Sequence, residues 1–245
     1  EPPHSVYGSG TVKSTEGLRL SWRASMGGLW SSYLTVWGGD TNEPLAELDG
    51  ADLSVENGYG AAWEVERDWL TLRAVYFGGT TSFDDRTNQF LIAEVDEGIN
   101  PDNDPVNLTV ITPNTQLYQD LAWDNEKSQF LGFGIGMDFE HVFFNSEITQ
   151  ITIDGNNLPA YELNSWYAMI GTRLPAGWSI SFTYAGDKDE ANEEIGKNAT
   201  NEFNAAIGEA IDQTVYSQQY LKTTTYTLGS RWDFHPQASL KMEYF

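Results

Sequence analysis

Leu131-Gly132-Phe133-Gly134-Ile135-Gly136-Met137-Asp138-Phe139 is the stretch that decides the fold, because it alternates without a break. Leu131, Phe133, Ile135, Met137 and Phe139 fall on one side of an extended chain; Gly132, Gly134, Gly136 and Asp138 fall on the other. The glycine series is therefore one face of a strand, not a phosphate-binding loop. A tight turn at 140–141 predicts Val142 to Ile153 as the return strand, although which of its faces is apolar is ambiguous.

The same pattern extends in both directions. Upstream, Leu18, Leu20, Trp22, Ala24 and Met26 oppose Arg19, Ser21, Arg23 and Ser25, and a Gly27-Gly28 turn leads into Trp30 to Trp37. Tyr59, Ala61, Trp63 and Val65 alternate with Gly60, Ala62 and Glu64; beyond Arg67-Asp68, Leu70, Leu72, Ala74 and Tyr76 oppose Thr71 and Arg73. Downstream, Trp166, Ala168, Ile170, Thr172 and Leu174 run into Pro175-Ala176-Gly177, and Trp178, Ile180, Phe182 and Tyr184 leave it. Tyr226, Leu228, Trp232 and Phe234 precede His235-Pro236-Gln237, and Ala238, Leu240, Met242 and Tyr244 follow. This makes roughly ten strands, near the length of about 9–11 residues that a tilted strand needs to cross a bilayer.

The connections alternate in length. Tight turns fall near 27–29, 66–68, 140–141, 175–177 and 235–237, whereas long loops are expected at 38–57, 78–127 and 186–215, with a shorter one at 154–160. The fold expected is an all-β, antiparallel transmembrane β-barrel with short periplasmic turns and long extracellular loops. Trp30, Trp69, Phe139, Trp178, Trp232 and Phe234 sit beside tight turns, and Trp37, Tyr59, Tyr76, Tyr161, Tyr184 and Tyr220 lie toward the long loops. Two bands of amphipathic rings one membrane apart suit the two headgroup levels.

Bulk composition narrows the function. The chain of 245 residues is 40% hydrophobic, has no cysteine and carries a formal net charge of −23. Absence of cysteine excludes disulfides, thiolate metal sites and a Cys nucleophile. The charge disfavours nucleic acid. No apolar run is long enough for a transmembrane helix, and the negative mean hydropathy does not speak against a barrel, whose strands face lipid only at alternate residues.

Arg67-Asp68-Trp69-Leu70-Thr71-Leu72-Arg73-Ala74-Val75-Tyr76-Phe77, together with Trp37-Gly38-Gly39-Asp40-Thr41 and Gly229-Ser230-Arg231-Trp232-Asp233-Phe234-His235-Pro236, resembles porins of marine gammaproteobacteria. The resemblance covers most strands but not the long acidic loops. It implies a general porin of the Gram-negative outer membrane, of which residues 1–245 would be one partial barrel domain. Family members extend further at both ends. That agrees with strand direction: the first strand enters from the long-loop side and the last runs toward it, so a strand is expected to be missing at each end. Phe245 is expected to be a cut, since Glu243, Lys241 and Ser239 are polar where an assembly signal would be apolar.

For a pore the informative residues are charges on the polar face. Arg19, Arg23, Arg73, Arg173, Arg231 and Lys241 all oppose the apolar row, and in lipid each would cost about 2–4 kcal/mol near the midplane. They are expected to line the lumen, either as a basic ladder or paired with wall acids such as Glu64, Asp138 and Glu243. The long loop 78–127 either folds inward, with Asp84, Asp85, Asp96 and Glu97 as the acidic side of a constriction, or stands above the membrane as a hairpin. The acidic loops 38–57 and 186–215 are read as a solvated surface, with a cation-enriching vestibule or divalent-ion bridging to lipopolysaccharide as the sharper alternative; a short helix is expected within Glu190 to Asp212.

Nothing points to an enzyme. His4, His141 and His235 are far apart, and neither Asp102-Asn103-Asp104 nor Asp154-Gly155-Asn156 has the full spacing of a calcium loop. No cofactor or metal is expected. The expected partners are outer-membrane lipid and lipopolysaccharide, small hydrophilic solutes and ions; whether the barrel forms a homotrimer is open. A substrate-specific channel and a secreted, non-membrane β-sheet binding protein are the alternatives.

Overall fold

The computed structural model describes residues 16–25, 27–45, 51–83, 118, 122, 124–154, 161–191 and 222–244. Ten strands follow one another in these residues: β1 (Glu16–Ser25), β2 (Trp30–Leu45), β3 (Ala51–Arg67), β4 (Leu70–Phe83), β5 (Glu126–Asp138), β6 (Val142–Asp154), β7 (Tyr161–Leu174), β8 (Trp178–Ala191), β9 (Lys222–His235) and β10 (Ala238–Tyr244). Each pairs antiparallel with the next, giving one sheet in sequence order. Among the described residues no ladder joins β1 to β10.

The five tight turns stand where the sequence puts them, and in three of them left-handed backbone explains why. Gly27 and Gly28 have φ of 82° and 62°, Asp68 has φ of 46°, and Ala176 and Gly177 have φ of 63° and 78°. Left-handed backbone of this kind reverses the chain within a few residues and favours Gly and Asp. Pro175–Gly177 forms a single 3-10 turn, tied to β9 by Trp232 Nε1 donating to the Ala176 carbonyl at 3.2 Å.

The long connections differ from expectation, because the strands run further than their alternation does. β2 and β3 leave only 46–50 between them, β4 and β5 leave 84–125, β6 and β7 leave 155–160, and β8 and β9 leave 192–221. The constriction candidates Asp84, Asp85, Asp96 and Glu97, Tyr220 and most of the helix expected within Glu190 to Asp212 lie outside the described residues.

From β4 to β9 the register runs without a bulge, so faces carry straight across the sheet. One row reads Leu72, Ile135, Ser146, Ala168, Tyr184, Tyr226, and the next toward the turns reads Leu70, Met137, Phe144, Ile170, Phe182, Leu228. This settles β6: Val142, Phe144 and Ile148 share the apolar face, and Phe143, Asn145, Glu147 and Thr149 share the opposite one. The turn-end aromatics behave as a band. Trp178 stacks on Trp232 at 5.2 Å and Trp69 on Phe139 at 5.4 Å.

At the other end Tyr59 meets Tyr76 at 5.9 Å, and Tyr184 lies between Trp166 at 4.5 Å and Tyr226 at 4.9 Å. Trp37 is the correction. It pairs with Arg19, on the polar face, and its ring covers Gly60 so closely that a Cβ there would overlap it. An indole needs a large flat contact, and the bare glycine of the neighbouring strand supplies it.

Above the long-loop aromatics the two faces exchange character. On the formerly apolar side Leu131 gives way to Gln129 and Lys127, Ile148 to Gln150 and Thr152, Trp166 to Asn164 and Glu162, Tyr184 to Lys188, and Tyr226 to Thr224 and Lys222. On the formerly polar side Phe77, Phe130, Ile151, Ile153 and Leu163 appear at the same level. Paired bulges at Gly39/Thr41 and Glu56/Tyr59 bend β2 and β3 there, with Asn57 at φ 51° and its N–H donating to Asp40 Oδ1 at 2.7 Å.

Ordinary core is nearly missing. Among the described residues only Val55, Val65, Ile153 and Ala185 are buried hydrophobics, against 27 exposed large ones, including Leu18, Leu20 and Trp22 at 67%, 59% and 63%.

Candidate functional site

The polar face of the turn-end half is concave. A cavity of about 440 Å³ is bordered by Thr71 and Arg73 of β4 and, five strands away, by Arg231 and Asp233 of β9. Flat strands lie about 4.8 Å apart, so side chains on β4 and β9 share one cavity only if the sheet curls toward this face. The small side of β5 assists: Gly134 and Gly136 contribute no side chain to the cavity floor, and the Arg73 stem packs beside Gly134.

All six basic residues singled out in the sequence lie on this face. Arg19 pairs with Trp37 and Arg23 with Tyr33; Arg73 lies beside Gly134, Arg231 beside Ser179, and Lys241 beside Arg231. Four of them are in ion pairs. Arg73 Nε bonds Glu64 Oε2. Arg173 grips Asp138 with both terminal nitrogens, Nη1–Oδ1 at 2.6 Å and Nη2–Oδ2 at 2.8 Å, and also donates to the Phe139 carbonyl at 3.0 Å. Arg231 Nε reaches Asp233 Oδ1 at 2.8 Å, and Lys241 Nζ reaches Glu243 Oε1 at 3.0 Å. Arg19 and Arg23 have no carboxylate within ion-pair distance among the described residues.

Arg73, Arg173, Arg231 and Lys241 are thus paired with wall acids, whereas Arg19 shares a hydrogen bond with Tyr33 instead. Glu64, Asp138 and Glu243 are the partners the sequence suggested. Asp233 is the partner it missed, although the signal was present: a residue two places along a strand shares the face of Arg231. Glu147 and Tyr167 also line the cavity. Glu147 of β6 is recognisable only once the register of β6 is known, whereas Tyr167 of β7 could be read from its alternation with Trp166 and Ala168.

These pairs are half-exposed and stabilise the fold by at most about 1 kcal/mol each. Their chemical meaning is different: fixed positive and negative groups alternate on a concave surface, held in place by short bonds. Such a surface can order water and ions. Among the described residues no group of three or more metal-ligating side chains converges.

Beyond the aromatic band, two carboxylates titrate in opposite senses. Asn164, then Gln150, donate hydrogen bonds to Glu162 and hold its pKa below the ordinary 4.5, with the Lys188 charge adding to this. Partial burial, then the nearby charges of Asp124 and Asp154, push the Glu126 pKa up.

Fold and site together define a class: a single-layer antiparallel sheet, apolar and exposed on one face, concave and charge-studded on the other. No protein-family model matches this chain, and no curated protein matches it significantly.

Proposed function

We propose that the chain forms the wall of a transmembrane β-barrel in the bacterial outer membrane, a porin that passes small hydrophilic solutes and ions by diffusion. One observation carries this: the apolar face of a ten-stranded sheet is exposed along almost its whole width, with four buried hydrophobic residues on the described side chains to set against it. Covering a Leu, Ile or Phe side chain is worth about 1.5–3 kcal/mol. A face of this extent left in water would outweigh the marginal stability of any domain, about 5–15 kcal/mol. Lipid covers it and accepts no hydrogen bonds, which suits a wall whose backbone groups bond from strand to strand.

The concave face then encloses water, and its fixed charges bias which ions enter. The pathway involves no covalent step. A secreted, non-membrane sheet protein is the rival from another class; it requires a second layer over Leu20, Trp63, Phe133, Ile170, Phe182 and Leu228. Planar-bilayer recording on the purified full-length parent protein tests the proposal. Stable ohmic channels are the expected result. Properly folded protein that stays in solution without detergent and carries no current overturns it.

A further inference from the structure

We propose that the concave cavity spanning β4 to β9 is a binding site for a neutral polyhydroxylated solute, a sugar of one or two rings. The proposal rests on the porin reading above and names a solute class for it. The cavity volume of about 440 Å³ falls within the range of about 300–1,000 Å³ that small-molecule sites occupy. Such sites are usually lined by apolar groups. Here polar or charged side chains reach the cavity from every strand between β4 and β9.

Charge balance selects the solute. Two of the ion pairs, Arg173–Asp138 and Arg231–Asp233, lie wholly within the lining, so their charges cancel locally. A charged solute would have to break one of these pairs to gain a partner of its own. A hydroxyl group need not. Each carboxylate oxygen has room for about two hydrogen bonds. Arg173 takes one at each oxygen of Asp138, and Arg231 Nε takes one at Asp233 Oδ1. Sugar hydroxyls can donate to the remaining positions without disturbing either pair.

Neutral groups complete the set. Asn145 of β6, Tyr167 of β7 and Ser179 of β8 line the same cavity, and the polar atoms of their side chains make no hydrogen bond among the described residues. Asn145 brings two donors and an acceptor, and a hydroxyl both donates and accepts. A polyol, whose every hydroxyl does both as well, matches this mixture. The floor leaves space for its ring. Gly134 and Gly136 keep β5 bare, and a Cβ at Gly136 would come within 3.1 Å of Asn145 Oδ1. On the other side the Phe143 ring fills the space over Gly171 and carries the Arg173 guanidinium at 5.1 Å, which fixes that wall.

The test is titration of the full-length parent protein in detergent, followed by saturation-transfer NMR, with glucose, glucuronate and glucosamine at pH 6. The last two place a negative or a positive charge on the same ring. Glucose is expected to bind about fivefold more tightly than either. Asn145→Ala is expected to weaken glucose about tenfold and Ser179→Ala about threefold, while Lys222→Gln, on the opposite face of the sheet, leaves it unchanged. Should Asn145→Ala fail to fold, the loss in Ser179→Ala decides alone. A charged analogue that binds as tightly as glucose, or normal binding in the Asn145 and Ser179 variants, overturns the proposal. So does displacement of glucose by an equal concentration of glycine, which would make the site one for zwitterions. Ohmic channels without glucose binding overturn this inference and leave the porin reading standing; glucose binding without channels does the reverse.

Discussion

The same strands are built in opposite senses at their two ends. Toward the tight turns, β5 presents Phe133, Ile135 and Met137 on one face and bare glycine on the other; toward the long connections it presents Gln129 and Lys127 on that first face and Phe130 on the second. β6 and β7 change over as well, with Gln150 and Thr152, and Asn164 and Glu162, on the first face and Ile151 and Leu163 on the second. Strand geometry is indifferent to this exchange, because alternation with period two persists throughout. The surroundings differ: one half is arranged as though its outside were oil, the other as though its outside were water. The border steps across the register, from Tyr76 and Leu131 through Ile148 and Trp166 to Tyr184 and Tyr226, and is rich in rings with a polar tip.

The largest expected break in this comparison comes from a charge on the oily half. Phe182→Lys is expected to lower folding stability in lipid vesicles by about 2–4 kcal/mol, and Thr224→Lys, one step above the ring band, by about 0–1 kcal/mol. Urea midpoints in the same vesicles compare them. Equal losses would place both positions in one environment and remove the border.

Next is the packing of the concave face. A Cβ at Gly171 would overlap the Phe143 ring, whereas at Gly134 it would meet nothing closer than the Arg73 Cβ at 3.7 Å. Gly171→Ala is expected to destabilise by about 1–3 kcal/mol, relieved when Phe143 is also shortened. Gly134→Ala should be almost silent.

A smaller effect separates the four ion-paired residues from Arg19 and Arg23. Removing Arg19 and Arg23 together is expected to shift the reversal potential under a salt gradient toward cation preference. Exchanging Arg73 and Glu64 preserves the local charge sum and is expected to shift it little. A larger shift from the exchange than from the removal would mean that the ion pairs, not Arg19 and Arg23, set the field.

The smallest effect is in the pH dependence of the half toward the long connections. The pKa of Glu162 is depressed below its ordinary 4.5, so its stabilising contribution is present above 4.5 and is lost as pH falls through the lower, folded value. The pKa of Glu126 is raised, so its ionised form opposes folding above the raised value, and that opposition fades as pH falls to the unfolded one. Glu162→Gln should therefore lower stability at neutral pH and Glu126→Gln should raise it, with both differences shrinking on acidification. Thermal melts from pH 7 to pH 3 check the signs.

Much of this was legible in the chain. Leu131–Phe139, the five turns and the opposition of Arg73, Arg173 and Arg231 to their apolar neighbours can be read from residue order alone, because period two is a local property. The reach of the strands was not legible. Gly38–Leu45, Leu53–Asn57 and Gly78–Phe83 are rich in Gly, Ser, Thr and acids, which read as loop when a strand is recognised by an apolar row. They are strands because each pairs with a neighbour, and pairing is not local. Trp37 was misplaced for the same reason: its face depends on a cross-strand register with Arg19 that its own segment does not encode.

By itself, then, the sequence determined an all-β chain, its reversal points and the face taken by Arg73, Arg173 and Arg231, since all three follow from backbone preferences over a few residues. Tertiary structure decided which acid each arginine meets, how far each strand extends, and the level at which the two faces trade places. Those depend on hydrogen bonds and side-chain contacts between segments many residues apart, and only the assembled sheet supplies them.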